Sequence, residues 1–179
     1  GIAGFFGTPS WDAPPRAVLG RMVRALRHRG PDGRGAHVEG HVGLGHARLA
    51  VIDPAGGRQP MADPAGDVWV TFNGEIFNYL ELREELLALG HRFRTRSDTE
   101  VIVHAYEQWG EDAFARLNGQ WALALWDRRE RTLVLARDPL GICPLYTAEH
   151  AGRLYFASEV KALFAADPTL PRALDPRGL

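Results

Sequence analysis

One cysteine, Cys143, stands among the 179 residues. An internal disulfide is therefore excluded, and the chain fits a reducing compartment. Cys143 lies in the apolar segment Gly141-Ile142-Cys143-Pro144-Leu145 and reads as a small buried hydrophobe rather than a nucleophile. No uninterrupted apolar run approaches the ~20 residues needed to cross a bilayer, and no signal-peptide pattern is visible. The cytoplasm is the expected compartment, with no membrane partner. An excess of either charge is missing too: 21 Lys and Arg against 22 Asp and Glu give a net charge of −1, which argues against nucleic acid as a partner. Arg16, Arg21, Arg24, Arg27, Arg29 and Arg34 do cluster early. However, Val18, Leu19, Met22, Val23 and Leu26 interleave with them at helical spacing, so the arginines read as the wet face of an amphipathic helix.

What is present is enough hydrophobic material, 45% of the residues, for one well-buried core. The pattern predicts a helix over residues 16 to 27, a hairpin over 36 to 52 and a strand over 68 to 77. A second helix runs from Tyr79 to Leu89, closed by Gly90, and a third from Thr99 to Trp109. Two further hairpins follow, one around the polar turn from Asp127 to Arg131 and one joining Leu145-Tyr146-Thr147 to Leu154-Tyr155-Phe156. Continuous apolar strands imply sheets covered on both faces. His37, His41 and His46 invite a metal reading, but Gly40, Gly43 and Gly45 disfavour a helix there. A hairpin turning at Glu39-Gly40 is expected instead, and no metal.

Asn73-Gly74-Glu75 follows the strand-like run Val68-Trp69-Val70-Thr71-Phe72. A carboxamide beside an unhindered N–H can form a donor pair for a developing oxyanion; the bland alternative is a hairpin turn. Arg48 sits in the apolar stretch Gly45 to Ile52, where a guanidinium needs a partner and its fork fits a carboxylate. Asp98 precedes the apolar helix pattern of Val101, Ile102, Ala105 and Tyr106. It serves either as a cap, with Ser97 and Glu100 offering a capping box, or as a binder of a cation. Together these residues describe an amino acid whose side chain carries an amide.

Amide cleavage also needs a nucleophile. The opening run Ile2-Ala3-Gly4-Phe5-Phe6-Gly7 reads as a core strand with no leader ahead of it, and a terminal α-amine, with a pKa of roughly 7.7–8.0, can act as base for its own residue's side chain. Gly1, however, has no side chain.

The ordered motifs resemble class II glutamine amidotransferase domains, most closely the glutaminase domain of asparagine synthetases. Gly1-Ile2-Ala3-Gly4 is similar to the family opening without its cysteine. Arg27-His28-Arg29-Gly30-Pro31-Asp32, Arg48-Leu49-Ala50-Val51-Ile52, Gln59-Pro60-Met61 and Asn73-Gly74-Glu75-Ile76-Phe77-Asn78 follow in the family's order. Ser97-Asp98-Thr99-Glu100, Arg137-Asp138-Pro139-Leu140-Gly141-Ile142 with Pro144-Leu145-Tyr146, and Ser158-Glu159-Val160-Lys161-Ala162-Leu163 complete the set.

The resemblance implies an α+β fold, the four-layer αββα sandwich of two antiparallel sheets flanked by helices that N-terminal-nucleophile hydrolases share. It implies that Arg48 grips the α-carboxylate of L-glutamine and that Asp98 and Glu75 hold its α-amino end. Asn73 and Gly74 become the oxyanion hole, and the segment Leu49, Ala50, Val51 and Ile52 lines the pocket. The nucleophilic cysteine is expected immediately before Gly1, and the chain without it is expected to be inactive. Residues 1–165 form the glutaminase domain on this reading. Residues 166–179, rich in proline, form a linker toward a C-terminal synthetase domain, which alone would use ATP and magnesium. No cofactor is expected for the glutaminase itself. Two other readings stay open: a non-catalytic module that packs on a synthetase or senses glutamine, and a glutaminase serving a synthetase that amidates a different carboxylate.

Overall fold

The structure, a computed structural model, describes residues 1–7 and 13–173. Its elements run β1 (Ile2–Gly7), α1 (Pro15–Ala25), β2 (Gly33–Glu39), β3 (Val42–Arg48), β4 (Met61–Ala62), β5 (Val68–Ile76), α2 (Tyr79–Ala88) and α3 (Asp98–Trp109). The chain continues through α4 (Ala113–Arg116), β6 (Gly119–Asp127), β7 (Thr132–Arg137), β8 (Tyr146–His150), β9 (Arg153–Ala157) and α5 (Val160–Ala166). One antiparallel sheet has the order β2-β3-β1-β9-β8 and the other β4-β5-β6-β7.

The period-2 alternation of side chains across a strand explains the layering. On β6, Trp121, Leu123 and Leu125 face one way and pack with Val70 and Phe72 of β5 and Val101 and Ile102 of α3. Ala124 and Trp126 face the other way and meet Val42, Leu44 and Phe156 of the opposite sheet. In that sheet Ala3, Phe5 and Tyr155 turn outward onto Val18, Leu19 and Met22 of α1 and Leu163 of α5. The result is helices, sheet, sheet, helices, the αββα order that the family resemblance implied.

Several local expectations change. Asn73-Gly74 is no hairpin turn: both residues lie inside β5, opposite Ala122 and Trp121 of β6. Arg21 does not belong to the wet face of α1, because its guanidinium donates to the carbonyls of Ala165 (2.9 Å) and Ala166 (3.1 Å) and so caps the last turn of α5. Ser97 caps α3 by accepting from the Thr99 N–H at 3.3 Å. Glu100 does not close a capping box but accepts the N–H groups of Arg94 and Thr95, each at 2.7 Å. The packed body also runs past residue 165. Asp167 accepts from the Thr169 hydroxyl (2.6 Å), the Thr169 N–H (2.9 Å) and His150 (3.0 Å), and Leu170 is buried against α1 and α5. Residues 174–179 of the expected linker lie outside the described residues.

Candidate active site

The chain start is stitched between its neighbours. The Gly1 nitrogen donates to the Ala47 carbonyl at 2.7 Å, the Ala47 N–H donates back to the Gly1 carbonyl at 2.8 Å, and the Ile2 N–H donates to Ser158 Oγ at 2.9 Å. Burial and the nearby Arg29 guanidinium push the Gly1 ammonium down to about 5, well below the range of a free α-amine. Beside this terminus opens a cavity of about 410 Å³.

Arg48, at the end of β3, reaches over the loop that follows. Its Nη1 donates to the Pro54 carbonyl at 2.6 Å and its Nη2 to the Asp53 carbonyl at 2.8 Å. Among the described residues no carboxylate meets it directly; two backbone carbonyls fix the fork and leave its remaining N–H groups for a ligand. Gly57 makes room, since a Cβ there would stand 2.8 Å from Nη2. The loop itself is pinned by the Asp53 carboxylate, which accepts from the N–H groups of Gly56 and Arg96, each at 2.8 Å.

Asn73 is half-buried and Gly74 exposed on β5 at the cavity wall. Gly74 has φ +150°, and a Cβ would lie 2.0 Å from the Gln120 carbonyl oxygen. Only glycine fits there. Gln59 braces the same strand, accepting from the Phe72 N–H at 2.6 Å and donating to Thr99 Oγ1 at 3.1 Å. Asp98 opens α3 and is 4% exposed; its Oδ2 accepts the Ile76 N–H at 3.2 Å. Burial raises its pKa, partly offset by hydrogen bonds from Ile76, Thr99 and Ser97 and reinforced by the nearby Glu75 carboxylate. A carboxylate held this way is stabilised by an arriving cation.

The cavity thus gathers Gly1, Arg48, Leu49, Val51, Ile52, Asn73, Gly74, Glu75 and Asp98. Ala50 is not part of its wall; its N–H instead donates to Asp32 Oδ2 at 2.8 Å. Leu49 and Val51 are 61% and 71% exposed, apolar lips rather than core. Other wall residues were given no site role by sequence reasoning: Arg29, Gly57, Gln59, Phe72, Ser97, Thr99, Gln120, Ile142 and Pro144. Cys143 is one of them in effect, half-buried on the wall rather than in the core, with burial and Asp138 raising its thiol pKa. Asp138 positions that segment by accepting the N–H groups of Ile142 (2.9 Å), Cys143 (3.0 Å) and Trp121 (3.2 Å). The Arg-Asp-x-x-Gly spacing was the available signal.

The three clustered histidines diverge. His37 stacks on Trp69 and His41 meets Phe6 and Trp126 edge-on. His46 is 5% exposed on the cavity wall, and among the described residues its Nδ1 has no hydrogen-bond partner. Burial and then the charges of the terminus and Arg48 press its pKa to about 3, so its ring is neutral.

A family model for the glutamine amidotransferase domain matches residues 1–179. The chain belongs to that family. Relatives of this amidotransferase domain include the glutamine-hydrolysing asparagine synthetase 3 of Bacillus subtilis, 41% identical over 181 residues that cover all of this chain and 29% of the relative. Asparagine synthetase 1 of the same organism is 44% identical over 154 residues, 86% of this chain and 24% of its own length. Asparagine synthetase 2 of Arabidopsis thaliana is 44% identical over 164 residues, 91% and 28%. The amidotransferase domain therefore spans less than a third of the relatives it matches. Among solved structures, the glutamine phosphoribosylpyrophosphate amidotransferase of B. subtilis superposes with a TM-score of 0.76 at 23% identity, covering 92% of this chain and 43% of that one. That likeness is one of fold, and it is the four-layer α+β fold described above. No helix among the described residues is long and apolar enough to cross a membrane.

Proposed function

We propose that this domain cleaves the side-chain amide of L-glutamine to glutamate and ammonia, using a cysteine carried immediately ahead of Gly1. The observation that supports this reading is the convergence of Arg48, Asp98 and the Asn73-Gly74 pair around one cavity that begins at Gly1. The three groups match the α-carboxylate, the α-ammonium and the amide carbonyl of one small molecule. A residue ahead of Gly1 would keep the contact to the Ala47 carbonyl through its peptide link and would project at the cavity mouth.

In the proposed reaction the free N–H groups of Arg48 bind the substrate carboxylate, while Asp98, assisted by Glu75 at the rim, takes the ammonium. The cysteine sulfur attacks the side-chain carbonyl, its proton passing by way of the cysteine's own α-amine to the departing nitrogen. Asn73 Nδ2 and the Gly74 N–H donate to the oxygen as it becomes negative. Ammonia leaves, a glutamyl thioester remains, and water then releases glutamate and restores the thiol. The exposed apolar lips formed by Leu49 and Val51 suit closure over the substrate's methylene groups.

The ammonia acceptor belongs to a C-terminal synthetase domain of the same polypeptide, as the short coverage of the relatives supports. Aspartate is the proposed acceptor, and ATP with magnesium is assigned to that domain; this one needs no cofactor. The packed body ends near Leu170 on this reading, the remainder linking to the synthetase. The cytoplasm is the proposed compartment. Ammonia and glutamate release from glutamine is to be measured on protein with a free amino-terminal cysteine ahead of Gly1 and on protein with alanine there. Turnover only with cysteine is expected; equal rates would overturn the proposal.

A further inference from the structure

Away from the cavity, His91, just after α2, meets His104 and Glu107 on one face of α3. One ligating atom from each lies within 4.8 Å of the others. His104 Nδ1 is 2.6 Å from Glu107 Oε2 and His91 Nδ1 is 3.7 Å from the same oxygen. The ring of His91 is already oriented, because its Nε2 lies 2.9 Å from Gln108 Oε1. That oxygen only accepts, so the proton sits on Nε2 and the lone pair on Nδ1. In that neutral tautomer Nδ1 faces the Glu107 carboxylate acceptor to acceptor, an arrangement that a proton or a metal ion between them would satisfy.

The outer half of the site is also built. His104 is 2% exposed, and among the described residues its Nε2 has no hydrogen-bond partner, lying 3.7 Å from Glu100 Oε1. That carboxylate is itself fixed by the N–H groups of Arg94 and Thr95 and by Thr95 Oγ1 at 2.6 Å. When Nδ1 of His104 gives up its proton to bind a metal, the ring keeps its proton on Nε2, facing a carboxylate. A small turn of the ring from this 3.7 Å approach would complete the histidine–carboxylate pair that orients ligands in metal centres. Phe93 packs edge-on against His104 at 4.6 Å and shields it on another side.

We propose that His91 Nδ1, His104 Nδ1 and Glu107 Oε2 form a zinc-binding site. Two imidazoles and one carboxylate with an open fourth position, filled by water on the exposed Glu107 side, suit a borderline-soft divalent ion better than magnesium or calcium, which prefer all-oxygen shells. Zinc bonds of about 2.1 Å in tetrahedral geometry place ligands roughly 3.3 Å apart, so Glu107 moves away from His104 and toward His91, and the two imidazole nitrogens, within 4.8 Å of each other, settle to the same spacing. The ion would clamp the α2–α3 connection onto α3. Glu100 links that clamp to residues 94 and 95, just ahead of Asp98.

The test uses the full-length protein, untagged and stripped by chelator, titrated with zinc by calorimetry and with cobalt(II) by visible absorption. His91→Ala and Glu107→Gln are compared with the parent, both positions being accessible enough for the variants to fold. The parent is expected to bind one equivalent of zinc that each variant loses or binds at least about tenfold more weakly, with tetrahedral cobalt bands only in the parent. Zinc is also expected to raise the parent's melting temperature and leave that of the variants unchanged. Identical zinc equivalents and affinities in all three proteins, or no binding by the parent, would overturn the proposal.

Discussion

Arg48 and Asn73 stand on the same cavity wall, yet their substitutions separate in kinetics. Arg48 spends two N–H groups on the carbonyls of Asp53 and Pro54, and in the proposed reaction its remaining donors meet the substrate in ground state and transition state alike. For Arg48→Ala the expected outcome, on protein carrying the free cysteine, is a rise in the Michaelis constant for glutamine by about 10- to 100-fold, equivalent to about 1.5–3 kcal/mol. Asn73→Ala removes a donor needed only when the oxyanion forms. It should lower kcat by about 10²–10³-fold with little change in the Michaelis constant. His46 carries a different prediction. The unfolded chain takes up a proton on this ring near its ordinary value of 6.5 and the folded chain only near 3. Its contribution is therefore complete above pH 6.5 and is lost as the pH falls, at about 1.4 kcal/mol per unit. Between pH 6.5 and 5 the parent should lose about 2 kcal/mol more than His46→Gln, as read from urea unfolding at several pH values.

At the scale of elements, β5 and α5 make the clearest cases. Gly74 pairs with Trp121 in mid-strand at φ +150°, so Gly74→Ala forces both a disfavoured dihedral and a clash with the Gln120 carbonyl. A loss of about 1–3 kcal/mol is expected from the backbone alone, and chemical denaturation would measure it. The strand over 68 to 77 was legible, and the β6 partner decides against the turn that the dipeptide Asn-Gly also resembles. The end of α5 was less legible still. The carboxylate of its C-cap residue, Asp167, is drawn upward by burial, but the hydroxyl and N–H of Thr169 and the ring of His150 outweigh that and hold it down to about 2. Asp167→Ala should cost about 1.5–3 kcal/mol at neutral pH. That difference should shrink as the pH falls below 3.8 toward 2, where the carboxylate takes up its proton in both states. The partners lie on β8 and in the chain that follows α5, and no local pattern announces them.

Across the whole molecule, stability rests on two sheets meeting face to face. Trp126 is 3% exposed in that seam, with the Phe6 ring at 6.0 Å and the His41 ring at 5.7 Å. Trp126→Ala should therefore cost about 3–5 kcal/mol, seen as a fall in the midpoint of thermal unfolding. An exposed tryptophan such as a loop residue would not show this. The sequence by itself determined eight of the nine strands among the described residues and the helices α1, α2 and α3, because burial pattern is a local property of the chain; the two-residue β4 and the short α4 and α5 carried no such signal. It also determined which charged and amide-bearing residues exist to meet a small amino acid. Only the tertiary structure decided that Arg48, Asn73, Gly74 and Asp98 share a cavity with Gly1 while Ala50 turns away. It alone decided that Cys143 lies on the cavity wall, and that His91, far from His104 along the chain, comes to stand beside it. The reason is physical: which side chains meet is fixed by strand register and by the seating of helices on sheets, and both depend on contacts between residues distant in the chain.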